Sequence, residues 1–237
     1  MKTAEVLYHE LVAYCEANAD EQIVKKYSRY FKEGYDAYGL TTVIFENKVN
    51  ELKAQPDFTL PLVLETAPLL MKSGKYEEAS FAIILLWQKK KEFTPATFEQ
   101  IDRWFAIGIT NWAHCDVLCS ETLPYFFIEK IVLPEKLAEW QNSPYRFQRR
   151  AIPVTSIKML KSGFELQTLL QFVEPLMLDK EKVVHQGLGW FLREAWKKYP
   201  IETEAFLYRW KNHSARLIFQ YATEKMDKDQ KSRFKKE

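Results

Sequence analysis

Apolar residues recur along this chain at intervals of three and four. Between positions 3 and 18, Val6, Leu7, Leu11, Val12 and Cys15 fall on one helical stripe, and positions 79–87, 183–196 and 216–226 repeat that spacing. Strand signals are scarce, because glycines number only 7 and no Asn-Gly or Asp-Gly pair sits between alternating apolar residues. The pattern therefore predicts helix after helix with short connections. Breaks fall at Pro56-Asp57, Ser73-Gly74, Thr94-Pro95, Leu133-Pro134, Ser143-Pro144, Ser162-Gly163 and Tyr199-Pro200. Thr94 followed by Pro95 reads as an N-cap with proline in the first helical position.

From Pro56 onward the breaks recur roughly every 20 to 40 residues, the spacing of stacked helix pairs in helical-repeat solenoids. The expectation is an all-α, HEAT-like helical-repeat solenoid, an α-α superhelix occupying 1–237 as a single domain, with an irregular helical bundle as the competing arrangement. The last stretch, roughly 227–237, reads as a basic, frayed tail.

Composition sharpens this. With 47% apolar and 15% aromatic residues in 237, the chain can bury a sizeable core. No apolar run approaches the roughly 20 residues that cross a bilayer, and positions 1–3 lead into an amphipathic segment without a signal-peptide core, so no membrane partner and a cytoplasmic location are expected. The net charge of +2 hides an asymmetry: positions 1–144 hold 15 Lys and Arg against 21 Asp and Glu, positions 145–237 hold 19 against 11. A basic C-terminal part points to a polyanionic partner. Cys15, Cys115 and Cys119 show neither a disulfide framework nor metal-ligand spacing, so free thiols, no metal and no cofactor are expected. His9, His114, His185 and His213 lack partner residues at ligand spacing and read as structural. Nucleophile-elbow, phosphate-loop, dinucleotide and kinase signatures are missing from the sequence.

Some polar and glycine positions resist an account based on core packing. Trp112 and Asp116, four residues apart in Asn-Trp-Ala-His-Cys-Asp, share one helical face. Gly187 and Gly189 precede Trp190 in mid-helix, where each costs about 1 kcal/mol relative to Ala. Close approach of a neighbouring helix or of a ligand backbone would offset that cost. Arg146, Arg149 and Arg150 crowd the start of an otherwise apolar helix. Each has an ordinary reading: a helical Trp is more often core than platform, and an Asp is more often solvated or paired with a neighbouring arginine.

The order of these segments resembles one known family. The succession of segments 29–40, 75–86, 111–118 (Asn-Trp-Ala-His-Cys-Asp-Val-Leu), 146–152 (Arg-Phe-Gln-Arg-Arg-Ala-Ile), 179–194, which ends in Gly-Leu-Gly-Trp-Phe-Leu-Arg-Glu, and 213–226 is similar to the AlkD-like DNA alkylation repair enzymes over nearly the whole chain. That resemblance implies a solenoid with a concave, basic, DNA-binding face, and removal of positively charged alkylated purines such as 3-methyladenine and 7-methylguanine from double-stranded DNA by a monomeric protein. It implies Asp116 as the catalytic carboxylate, Trp112 and Trp190 as aromatic residues flanking the lesion's sugar, and Tyr30 at the opposite lip. Arg149 and Arg150 are implied near the phosphates. After Tyr38-Gly39-Leu40 the family's proline and arginines give way to Thr-Thr-Val-Ile-Phe-Glu-Asn-Lys-Val. Two alternatives stay open: a non-catalytic protein that binds branched or distorted DNA, and a helical-repeat scaffold for proteins.

Overall fold

The computed structural model describes residues 2–236, and every regular element among them is helical. The all-α class expected from the periodicity is the one observed. The chain divides into two compact units, 1–114 and 115–237. The division falls inside a helix, with no Pro, Gly or linker to announce it.

The first unit contains α1 (Ala4–Ala17), α2 (Glu21–Ser28), α3 (Thr42–Lys53), α4 (Leu60–Lys72), α5 (Tyr76–Trp87) and α6 (Pro95–Ile107), and α7 (Trp112–Val117) begins at its end. Thr3, Asp20, Thr41 and Thr59 cap the first four, their side chains accepting from backbone N–H groups that would otherwise be unpaired. Thr94 and Thr97 form a capping box before Pro95, as the sequence suggested. Leu7, Leu11 and Cys15 of α1, Val63, Ala67 and Leu70 of α4, Phe81, Leu85 and Leu86 of α5 and Trp104 of α6 are buried together as the core. Val6, assigned above to the buried stripe, is instead 54% exposed, because α1 turns Ala4, Leu7, Leu11 and Cys15 inward and leaves Val6 outside that row.

The second unit contains the rest of α7, then α8 (Leu123–Ile128), α9 (Glu135–Ala138), α10 (Arg146–Lys161), α11 (Leu166–Val173), α12 (Lys182–Lys198), α13 (Pro200–Trp210), α14 (Arg216–Ala222) and α15 (Lys228–Ser232). Its core is the sequential packing of α10 on α12 and α12 on α14. α10 is buried nearly all round, from Phe147 to Leu160. Between α7 and α8 the backbone widens into one π turn, Leu118–Thr122, with Leu123 N–H donating to Leu118 O. Pro124 accounts for it: proline cannot donate to the carbonyl one α-turn back and its ring would clash there, so the turn opens. The segment read above as a frayed tail carries a short helix, α15. Asp227 and Gln230 form a capping box for α15, Phe234 is 1% exposed, and Arg216 Nη1 donates to Phe234 O at 2.7 Å; burial of one aromatic ring anchors this end. Glu237, the last residue of that expected tail, lies outside the described residues.

The glycine pair of α12 is explained by neighbouring helices. A Cβ on Gly189 would lie 2.4 Å from Tyr221 Cβ and 2.6 Å from Ile218 O, so the close packing of α12 on α14 exists only because position 189 has no side chain. Gly189→Ala should therefore lower the unfolding free energy by about 1–3 kcal/mol through overpacking. Urea unfolding measures it, and an unchanged midpoint would contradict so close an approach.

Candidate active site

In the second unit, Asp116 sits two residues before the π turn that follows α7, and α10 supplies its partner. Arg150 Nε donates to Asp116 Oδ1 at 2.8 Å and Arg150 Nη2 to Asp116 Oδ2 at 2.9 Å, a two-pronged guanidinium–carboxylate fork. Arg150 Nη1 donates to Val183 O of α12 at 2.5 Å. The two side chains are only 7% and 17% exposed. Burial works against the guanidinium's charge, but the hydrogen bonds and charge of Asp116 outweigh it and raise the Arg150 pKa. Arg150, implied above as a phosphate contact, is thus committed to holding the carboxylate.

The arginine stem packs closely on Gly187. A Cβ there would stand 3.3 Å from Arg150 Cγ and from Val154 Cγ2, a tight contact that the bare backbone of α12 avoids. Val183, Gly187 and Trp190 follow one another at helical spacing on α12, which places half-buried Trp190 on the side of the helix that meets Arg150. Beneath Asp116 the thiol of Cys115 donates to Phe147 O at 3.3 Å and lies 3.9 Å from Cys119 Sγ. Burial, the neighbouring thiol and the charge of Asp116 push the Cys115 pKa well up, so it is an inert packing group.

Arg149 is engaged as well. Its Nε donates to Asp179 Oδ2 at 2.6 Å and its Nη1 to Ser143 O at 2.6 Å, while Asp179 Oδ1 also accepts from Glu181 N at 2.8 Å. The arginine expected near phosphates instead fastens the loop that opens α12 to the start of α10.

In the first unit, Trp112 is 41% exposed at the start of α7, and Tyr30, 52% exposed, lies beside it. Trp112 Nε1 donates to Tyr30 O at 3.4 Å, and its ring stacks on Phe31 with centroids 5.6 Å apart and an interplanar angle of 19°. Phe31 in turn stacks on Tyr35 at 4.5 Å. Sequence reasoning did not single out Phe31 or Tyr35, since stacking across a loop leaves no periodic trace. Behind them His114 is 3% exposed. Its Nε2 meets Tyr76 O and Ser80 Oγ, each at 3.0 Å, and its Nδ1 meets Asn111 Nδ2 at 2.8 Å. Asn111 Oδ1 accepts from His114 N at 2.9 Å, capping α7. The structural reading of this histidine agrees with these contacts. Among the described residues no three His, Cys, Asp or Glu side chains assemble as a metal site requires.

An all-helical repeat protein with a fork-held, part-exposed aspartate and a ring-backed exposed tryptophan is the class that fold and side chains define. The family model described as "DNA alkylation repair enzyme" matches residues 12–226, and the chain belongs to that family. Its fold is similar to that of a solved structure described as a predicted DNA alkylation repair enzyme from Enterococcus faecalis, with TM-score 0.74, 15% identity, and coverage of 89% of this chain and 98% of that one. No curated protein matches the chain. No helix of the described residues is long and apolar enough to cross a membrane.

Burial pushes the His114 pKa down from 6.5 to about 4, against the opposing hydrogen bond to Tyr76 O. The unfolded chain binds this proton more tightly than the folded one, so the contribution to stability is complete above pH 6.5 and is lost as pH falls towards 4. Its size is up to about 3 kcal/mol. Unfolding measured across that range should show the loss in the wild type and a flatter limb in His114→Gln; identical limbs would contradict the buried, neutral imidazole.

Proposed function

We propose that the protein is a DNA glycosylase that hydrolyses the N-glycosidic bond of positively charged alkylated purines, 3-methyladenine and 7-methylguanine, in duplex DNA. The observation that carries this reading is the Arg150-held, part-exposed carboxylate of Asp116. An N3- or N7-alkylated purine already carries positive charge, so it leaves as a neutral base when the C1′–N bond breaks and takes the bonding electrons with it. No general acid is required.

What the reaction needs is a fixed negative charge beside the deoxyribose, whose C1′ becomes cationic. Each oxygen of Asp116 uses one acceptor direction on Arg150 and keeps another free. One stabilises the sugar cation; the other orients the water that adds to C1′, with its proton passing to the carboxylate or to solvent. Arg150 is a positioning residue here: its fork fixes both oxygens without itself meeting the substrate. Trp190 offers an electron-rich face to the cationic sugar and base, a contribution of about 0.5–2 kcal/mol, and Trp112 is a second aromatic surface proposed for the DNA. Tyr30 lies against Trp112 and acts with it.

The non-catalytic alternative, binding of branched or distorted DNA, draws on the stretch after Leu40, where the family's proline and arginines are replaced, and on the engagement of Arg149 and Arg150 within the protein. One experiment separates the readings. Asp116→Asn keeps size but removes the charge and sets an amide NH2 against one N–H of the Arg150 fork, so in protein whose folding is confirmed by thermal melting, single-turnover release of 7-methylguanine from methylated duplex should fall by roughly 10²–10³ while duplex affinity holds. Equal rates for the two proteins would remove Asp116 from the chemistry, and a wild type that binds duplex but releases no alkylated base would leave the non-catalytic reading.

A further inference from the structure

The first unit is acidic on balance, with 13 Lys and Arg against 16 Asp and Glu, yet the eight residues Lys-Lys-Tyr-Ser-Arg-Tyr-Phe-Lys (25–32) hold four cations, three aromatics and no carboxylate. Lys25 and Arg29 are one helical turn apart, as are Lys26 and Tyr30. α2, which carries the start of this stretch, buries none of its residues, and Lys25, Lys26, Tyr27, Arg29, Tyr30 and Lys32 are all exposed. An eight-residue helix has little stability of its own, and like charges a turn apart work against it.

Its N-terminus is nevertheless firmly held. Asp20 Oδ1 caps α2 through Gln22 N at 2.8 Å, Asp20 N donates to Tyr38 O at 2.8 Å, and Gly39, at φ +86°, lies so close that a Cβ would be 2.2 Å from Asp20 O. The Glu77 carboxylate ties that loop down by accepting from Tyr38 N at 2.9 Å and Gly39 N at 2.8 Å. The cations are arranged too: Lys26 lies over the Tyr27 ring at 5.3 Å and Arg29 over the Tyr30 ring at 4.8 Å, with Arg29 Nη2 donating to the Tyr30 hydroxyl at 2.8 Å. An anchored helix with an uncovered face dominated by cations and aromatic rings is complementary to a polyanion that also offers flat faces.

We infer that the face formed by Lys25, Lys26, Arg29 and Lys32 docks the phosphodiester backbone of duplex DNA and supplies the grip that positions 41–49 lack. The inference rests on DNA as the partner under the proposed function and not on base excision. α2 presents tyrosines, and its Ile23 and Val24 are half-buried, so it offers no aliphatic wedge for an anionic membrane.

The test is fluorescence anisotropy with unmodified labelled duplex across salt concentrations. The triple variant Lys25→Ala/Lys26→Ala/Arg29→Ala should bind about tenfold or more weakly at 0.1 M salt, and its salt slope should be shallower by about 0.9 for each phosphate it no longer neutralises. The control triple Lys53→Ala/Lys72→Ala/Lys91→Ala removes the same charge from exposed positions elsewhere in the unit and should keep the wild-type slope. The corresponding Gln triple at 25, 26 and 29, with thermal melting of all variants, separates a weakened grip on phosphates from unfolding. Equal weakening by both triples, or none, would overturn the inference, as would binding to phosphatidylserine vesicles that falls in the α2 triple while duplex binding does not. A wild type that binds duplex without excising bases would refute the glycosylase reading and leave this one standing; failure to bind duplex at any salt would overturn both.

Discussion

A charge removed from water must be compensated where it sits, and the second unit is built around one such case. Asp116 and Arg150 are largely buried together, so each needs the other and each needs further hydrogen bonds. The fork uses both carboxylate oxygens, and the third guanidinium bond goes to Val183 O, which links α7, α10 and α12 at one point. The rest follows from that link. A side chain at Gly187 would press on the arginine stem, Gly189 must be bare for α12 to sit against α14, and the π turn after Asp116 absorbs Pro124 within the same helix. A buried pair of this kind is weak support for stability in itself, since two apolar residues would often serve as well. Its retention beside an exposed edge of the carboxylate is what gives it a chemical meaning.

The first unit solves a different problem. Trp112 is large, apolar and 41% exposed, so part of its ring forgoes the stabilisation of burial. Phe31 and Tyr35 stack behind it and the Tyr30 carbonyl takes its indole N–H, so the exposed ring is fixed in orientation. His114, neutral and fully bonded, holds the start of the same helix through Asn111. Rigid aromatic surface of this kind meets a flat or cationic ligand with little entropy left to lose.

Much of this was legible from residue spacing. Helical class, the cap at Thr94 and the shared face of Trp112 and Asp116 follow from period and punctuation, and the glycine pair announced a close approach before its partners were visible. Local pattern could not say which arginine goes where. Arg149 and Arg150 are adjacent, so they point about 100° apart on the helix, and which one meets Asp116 depends on neighbours that are distant in sequence. Both were implied as phosphate contacts, and the structure commits both within the protein. At the end of the chain the lysines suggested solvent, and the burial of the aromatic Phe234 among them left no periodic signal. The family's grip after Leu40 is missing from the sequence, and the cationic face of α2, hidden there among mixed charges, stands out only once its lack of burial is known.

The chemistry proposed for Asp116 is delivery of water to the sugar carbon of an alkylated nucleotide. Incubating saturating wild-type or Asp116→Asn protein with duplex containing a single 7-methylguanine in a single turnover, followed by mass analysis of both products, is the decisive measurement. The expected products from the wild type are free 7-methylguanine and an intact strand with one abasic sugar, formed far faster than with Asp116→Asn or without protein. A strand that remains fully methylated, or a base released with the sugar joined to a protein group, would contradict that role.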